Sequence, residues 1–83
     1  MQPAQPNSNR EFIEFVARML AKSPDDVEAT ETVEDGTLVY HLALAPDDVG
    51  RVIGREGRIV RAIRSLLRSA AVRQGVRIVL EVG

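Results

Sequence analysis

The chain reads as an α+β domain in the order helix, strand, strand, short helix, glycine loop, long helix, strand. Three observations point there. Apolar residues recur at spacings of three and four in two long stretches and alternate with polar ones in the segments between and after them. Asp35-Gly36, a favoured hairpin dipeptide, joins two of the alternating segments. Gly54-Arg55-Glu56-Gly57 then separates two helical patterns. The amphipathic helices are expected to pack on one face of a three-stranded sheet.

Residues 1 to 8 read as a flexible tail and residues 9 to 83 as the domain. Ser8 with Glu11 three positions later makes a capping box for a first helix running to about Ala21. Its apolar stripe is Phe12, Phe15, Val16, Met19 and Leu20, assigned to the core, with Arg10, Glu11, Glu14 and Arg18 on the other side. Ser23-Pro24-Asp25-Asp26 ends it, and Val27 to Glu34 carries the Thr and Val of a partly exposed strand. Leu38, Tyr40, Leu42 and Leu44 alternate with Thr37, Val39, His41 and Ala43 as a half-buried second strand.

Pro46 suits the first position of a helix, and Asp47 and Asp48 suit its positive N-terminal end, so a short helix is expected over Pro46 to Ile53. A second long pattern from Gly57 to Gln74 buries Ile59, Ile63, Leu66, Leu67 and Ala70 and gathers Arg58, Arg61, Arg64 and Arg68 on a separate face. Gly75 is its expected C-terminal cap, and Val76, Ile78, Leu80 and Val82 alternate as a third strand. That strand can return to either edge or pair in parallel; periodicity leaves the order open.

Eighty-three residues hold one domain, near the lower size at which a hydrophobic core suffices unaided. There is no Cys, so a disulfide framework and a thiolate metal site are both excluded. The Gln-, Pro- and Asn-rich start has no signal-peptide pattern and no stretch approaches a membrane span, so a cytoplasmic protein without membrane contact is expected. The net charge of −1 hides a strong polarity. Residues 1–50 hold three basic and ten acidic side chains, or −7, whereas residues 51–83 hold eight Arg against Glu56 and Glu81, or +6. Local potential attracts a polyanion, and Arg matches phosphate bidentately.

The glycine loop supplies the chemistry. Glycines three apart turn the backbone tightly and let a sugar-phosphate chain approach the main-chain N–H groups. The helix that follows aims unpaired N–H groups and partial positive charge at the same place. Arg55 is the first choice for phosphate contact, Arg58 the second, and Arg51 and Arg61 are weaker candidates. Phe12, Phe15 and Tyr40 are the only aromatic residues, so backbone clamping must dominate over base stacking.

A Gly-x-x-Gly loop between two helices in the order α-β-β-α-α-β resembles the type II KH domain, with Ile53-Gly54-Arg55-Glu56-Gly57-Arg58 similar to its signature. The likeness covers Arg10 to Val82, and the length resembles the small bacterial single-KH proteins of the KhpA (YlqC-like) family. The resemblance implies an RNA-binding protein, an RNA chaperone or post-transcriptional regulator, that clamps about four nucleotides of single-stranded RNA. Gly54 and Gly57 would shape the loop and Arg55 would touch phosphate. Val52 and Ile53 would line or support the groove floor, with Arg58 beside it. Glu56 opposes a phosphate electrostatically or offers an acceptor to a base. The resemblance also implies a homodimer and pairing with a larger KH-containing partner of the KhpB (Jag/EloR-like) type.

Two rival readings remain. One is a helix-turn-helix whose Arg-rich second helix enters a DNA groove; the other is a KH-fold dimerisation or protein-interaction module with weak or no RNA binding. An enzyme is not expected, and neither is a cofactor or metal. The glycines match neither the phosphate-loop nor the dinucleotide fingerprint, and His41, the only His, has no second ligand at useful spacing.

Overall fold

A computed structural model describes residues 8–83, so the expected tail lies outside the described residues except for Ser8. The order is α1 (Asn9–Leu20), a 3-10 turn (Pro24–Asp26), β1 (Glu28–Glu34), β2 (Thr37–Ala43), α2 (Pro46–Ile53), a second 3-10 turn (Arg55–Gly57), α3 (Arg58–Gln74) and β3 (Arg77–Val82). The Ser8 hydroxyl accepts from the Glu11 N–H at 3.1 Å and so caps α1. Gly75, in the left-handed region at φ 69°, closes α3, and the Val76 N–H donates to the Ala71 carbonyl behind it.

The sheet order is β1-β2-β3. β1 and β2 pair antiparallel from Glu28↔Ala43 to Glu34↔Thr37 across the tight Asp35-Gly36 turn, with φ 51° and 77° at the two corner residues. β3 pairs with β2 in parallel from Thr37↔Arg77 to Leu42↔Val82, which resolves the order that periodicity left open. The α2–α3 connection carries the chain back over one sheet face, so β3 starts at the same end as β2 and runs beside it.

Helices and sheet enclose one core, in which Ile13, Tyr40, Leu42 and Val52 are almost wholly buried beside Val60, Ile63, Leu67 and Leu80. The centre of the α1 stripe differs from expectation. Ile13 and Ala17 face the sheet, Phe12, Val16 and Leu20 pack against them partly buried, and Phe15 and Met19 are exposed. Ala17 lets α1 approach closely, which shifts the buried arc away from the larger side chains at 15 and 19. On α3 Val60 is buried along with the expected Ile63, Leu67 and Ala70, whereas Ile59 is half-buried at the loop and Leu66 is turned out to solvent.

Polar side chains bond single backbone groups at both sheet edges. Glu14 accepts from the Ala29 N–H at 2.9 Å and Arg18 donates to the Val27 carbonyl at 3.3 Å, while Arg64 on α3 donates to the Leu80 carbonyl of β3 at 3.0 Å. These contacts blunt edges that would otherwise offer free backbone groups. Across the hairpin, the Tyr40 hydroxyl donates to Glu31 at 2.6 Å; burial, reinforced by that carboxylate, pushes the phenol up to about 12.

The one buried charged residue among those described is Asp48. Its two carboxylate oxygens accept from the Lys22 and Ser23 N–H groups, each at 2.9 Å, and Arg51 lies 3.5 Å away. The Asp48 side chain therefore ties the chain leaving α1 to the first turn of α2. Those backbone donors, Lys22 first, hold its carboxyl below the usual carboxylate range. A depressed folded-state pKa stabilises above the unfolded value near about 4 and ceases to do so as pH falls through the folded value. Asp48→Asn is thus expected to lower the melting temperature at pH 7, with the gap from wild type closing below about pH 4. Thermal unfolding across that range checks this, and equal melting temperatures at pH 7 would contradict it.

Candidate nucleic-acid interface

The corner between α2 and α3 is built from left-handed backbone. Gly54 ends α2 at φ 80°, ψ 170°, and its N–H donates to the Gly50 carbonyl at 2.9 Å. Glu56 (φ 57°, ψ 24°) and Gly57 (φ 73°, ψ 17°) form the middle of a tight turn closed by the Arg58 N–H on the Arg55 carbonyl. Glycine serves the two glycine positions differently. A Cβ at Gly54 would lie 2.7 Å from Cγ1 of Ile59, inside any real contact, whereas one at Gly57 would meet nothing nearer than Val60 Cγ1 at 4.0 Å. Gly54 is required by close packing as well as by its backbone angle; Gly57 is favoured by its angle alone.

Glu56 holds left-handed backbone that favours Gly, Asn or Asp. Its carbonyl accepts from Arg61 Nη2 at 2.7 Å, so a side chain one turn into α3 holds the strained peptide in place. The N-terminus of α3 begins at this turn. Its capping position is Gly57, so no side chain occupies the first-turn N–H groups.

The expected residues fall into three groups. Gly54, Arg55, Glu56, Gly57 and Arg58 come together at the corner, where Arg55, Glu56 and Arg58 are exposed and the two Arg make no ion pair among the described residues. Val52 is buried and Ile53 packs partly buried against the core, supporting the corner from below. The other two candidates have structural partners, Arg61 on the loop carbonyl and Arg51 on Asp48. Sequence reasoning placed Ile59 in the core of α3 but missed its contact with the loop, where its side chain fills the space beside Gly54. Its position two residues past the second glycine was the available signal.

An α-β-β-α-α-β chain with a glycine loop between α2 and α3, and with β3 parallel to β2, defines a KH domain of type II order. The family model described as KhpA/KhpB, KH domain, matches residues 10–82, and the chain belongs to that family. It is 37% identical over 73 residues to the RNA-binding protein KhpA of Clostridium acetobutylicum, covering 88% of this chain and 97% of that one. It is 40% identical over 73 residues to the RNA-binding protein KhpA of Chlamydia pneumoniae, covering 88% and 94%. The fold also matches a crystal structure of Era in complex with MgGDPNP and nucleotides 1506–1542 of 16S ribosomal RNA, with a TM-score of 0.53 at 17% identity over 99% of this chain. This chain spans 34% of that one, and the likeness is one of fold.

The unequal demands at the two glycines give a stability test. Gly57→Ala should lose about 1–2 kcal/mol for its left-handed backbone, and Gly54→Ala about 1–3 kcal/mol for a φ 80°, ψ 170° conformation that is essentially glycine's alone. Gly54→Ala should lose about a further 1–3 kcal/mol because its methyl group overpacks Ile59. Urea unfolding measures both, and a loss at Gly54 no larger than that at Gly57 would contradict the close packing on Ile59.

Proposed function

We propose that this protein binds single-stranded RNA in the bacterial cytoplasm, as an RNA chaperone or post-transcriptional regulator without catalysis of its own. Gly54, Gly57 and the first turn of α3 take a short phosphate backbone stretch of about four nucleotides. One observation carries the reading: the uncapped N-terminus of α3 opens onto a two-glycine corner flanked by exposed Arg55 and Arg58. Helix N–H groups and helix dipole open onto this corner, and two exposed Arg within the same short segment add cations beside them, which suits a phosphate. The relatives' description as RNA-binding proteins agrees with it.

The roles divide by geometry. Arg55 and Arg58 contact phosphate, Arg61 positions the Glu56 peptide, Ile53 supports the floor, and Arg51 contributes field from its place beside Asp48. The Glu56 side chain is exposed at the corner and lowers affinity for a polyanion. With few aromatic residues to stack on, binding is weak and strongly salt-dependent.

Pairing accompanies this function. Phe15 is 50% exposed and Met19 72% exposed on α1, and Leu66 is 57% exposed on α3, so apolar surface is open away from the glycine corner. A second copy covering it forms a homodimer that raises the effective RNA affinity, and a KhpB-type partner is the competing occupant. Sedimentation at rising concentration should show dimers in wild type and monomers in Leu66→Glu; monomers throughout would remove the homodimer.

For the RNA reading, fluorescence anisotropy of a short labelled single strand at two salt concentrations is the test. Arg55→Ala and Arg58→Ala each remove one cation from phosphate and should each shallow the salt slope by about 0.7. Gly57→Asp, which adds an acid where packing leaves room, should abolish binding while the protein stays folded by circular dichroism. Wild-type affinity in all three variants would overturn the proposal.

A further inference from the structure

The outer edge of β1 is only partly covered. In the sheet order β1-β2-β3, β1 has a neighbouring strand on one side alone. Glu34 and Thr37 flank the two-residue Asp35-Gly36 turn and so form a hydrogen-bonded pair. Alternation along the ladder then aims the N–H and C=O groups of Ala29, Glu31 and Val33 away from β2, as the Glu14 contact to the Ala29 N–H shows. Side chains of α1 reach the start of this edge, Glu14 at Ala29 and Arg18 at the Val27 carbonyl. Farther along, the peptide groups of Glu31 and Val33 have no hydrogen-bond partner among the described residues.

The backbone of this edge is an intact template. The pairing with β2 runs without a bulge from Glu28 to Glu34, and β1 contains no Pro, so neither common device for spoiling an edge is present. Val33, 65% exposed, sets an apolar side chain beside the open peptide groups. Charge then selects what can pair there. Glu28, Glu31 and Glu34 lie along β1 and Asp35 follows in the turn, and none of the four is ion-paired among the described residues. The Tyr40 hydroxyl, 2.6 Å away, holds the Glu31 carboxylate in place.

A second copy of the same edge fits badly. Full-length antiparallel self-pairing of β1 sets Glu31 against Glu31 and Glu28 against Glu34, like charges directly opposite one another. A phosphate backbone is repelled by the same carboxylates. We propose that the outer edge of β1 at residues 31–33 docks an extended basic segment of a protein partner, which joins the three-stranded sheet as an added strand. Main-chain bonds to Glu31 and Val33 hold that segment, and its Lys or Arg side chains meet Glu31 and Glu34. The site lies on the sheet edge opposite the one that Arg64 of α3 contacts at Leu80.

The test is an NMR titration with the blocked peptide Lys-Thr-Lys-Val-Lys-Thr-Lys and its counterpart with Glu for every Lys, with amide hydrogen exchange read in the free and bound protein. The outward amides of Glu31 and Val33 should exchange fast in the free protein and slowly with the basic peptide, while those of Thr30, Thr32 and Glu34, already bonded to β2, keep their rates. The acidic peptide should not bind. Val33→Pro removes an outward N–H and no ladder bond, and should abolish the protection at Glu31. Glu31→Gln/Glu34→Gln keeps an acceptor for Tyr40 and should weaken the basic peptide about fivefold, the loss of two exposed ion pairs. If circular dichroism shows that proline unfolds the hairpin, this second variant carries the test. Protection at Glu31 and Val33 that rises with protein concentration alone would make a second copy the occupant and overturn the proposal. Equal binding of the acidic peptide, shifts confined to the apolar residues of α1 and α3, or no binding of the basic peptide would overturn it as well.

Discussion

The close approach of Ile59 to Gly54 is the constraint on which the arrangement depends. With 2.7 Å between Ile59 Cγ1 and the place a Cβ would occupy, the start of α3 packs directly on the glycine that ends α2. The turn then needs left-handed backbone at Glu56 and Gly57, and those residues leave the first turn of α3 without a side-chain cap. The same geometry sends α3 back across the sheet, seats Val60, Ile63 and Leu67 on it, and delivers β3 parallel to β2. Packing and anion-binding capacity therefore share one origin. A residue with a side chain at position 54 would disturb both.

Charge is organised around that corner instead of being averaged over the surface. The ion pairs among the described residues are Arg10 and Arg18 with Glu14, and Arg51 with Asp48. They lie on α1 and α2. Arg61, Arg64 and Arg68 of α3 bond neutral oxygens of Glu56, Leu80 and Ser65, so their positive charge stays available. A chain of net charge −1 can in this way present a face with the potential of a basic protein, since an incoming strand senses the charges within about a Debye length, near 8–10 Å. Arg61 and Arg64 also have structural roles, one holding a strained peptide and the other covering a strand edge. Substituting them mixes loss of field with loss of shape.

The element order, the hairpin turn, the bounds of α2 and the C-terminal cap of α3 were legible in the sequence because each rests on local chemistry: Asp-Gly for the turn, Pro at a helix start, Gly at a helix end. The corner was legible for the same reason, since its glycines are adjacent in sequence to the cations they serve. What escaped depends on partners far apart in the chain. Asp48 reads locally as a helix-start acid, yet its oxygens are taken by the N–H groups of Lys22 and Ser23, 26 and 25 residues away. Phe15 and Met19 read as core because an apolar stripe does not show how much of its width the neighbouring elements cover. The parallel placement of β3 was open because alternation gives a strand its faces but not its neighbour.

The central claim, that phosphate is held where the Gly54–Gly57 turn meets the start of α3, is tested most directly by mapping backbone amide shifts of the isotope-labelled protein as a short single-stranded RNA is added. The account predicts that the largest and earliest changes fall on the amides of Gly54 to Val60, with those of α1 and β1 nearly still. Shifts concentrated on α1 or on the sheet face away from the helices, with the corner unmoved, would contradict it.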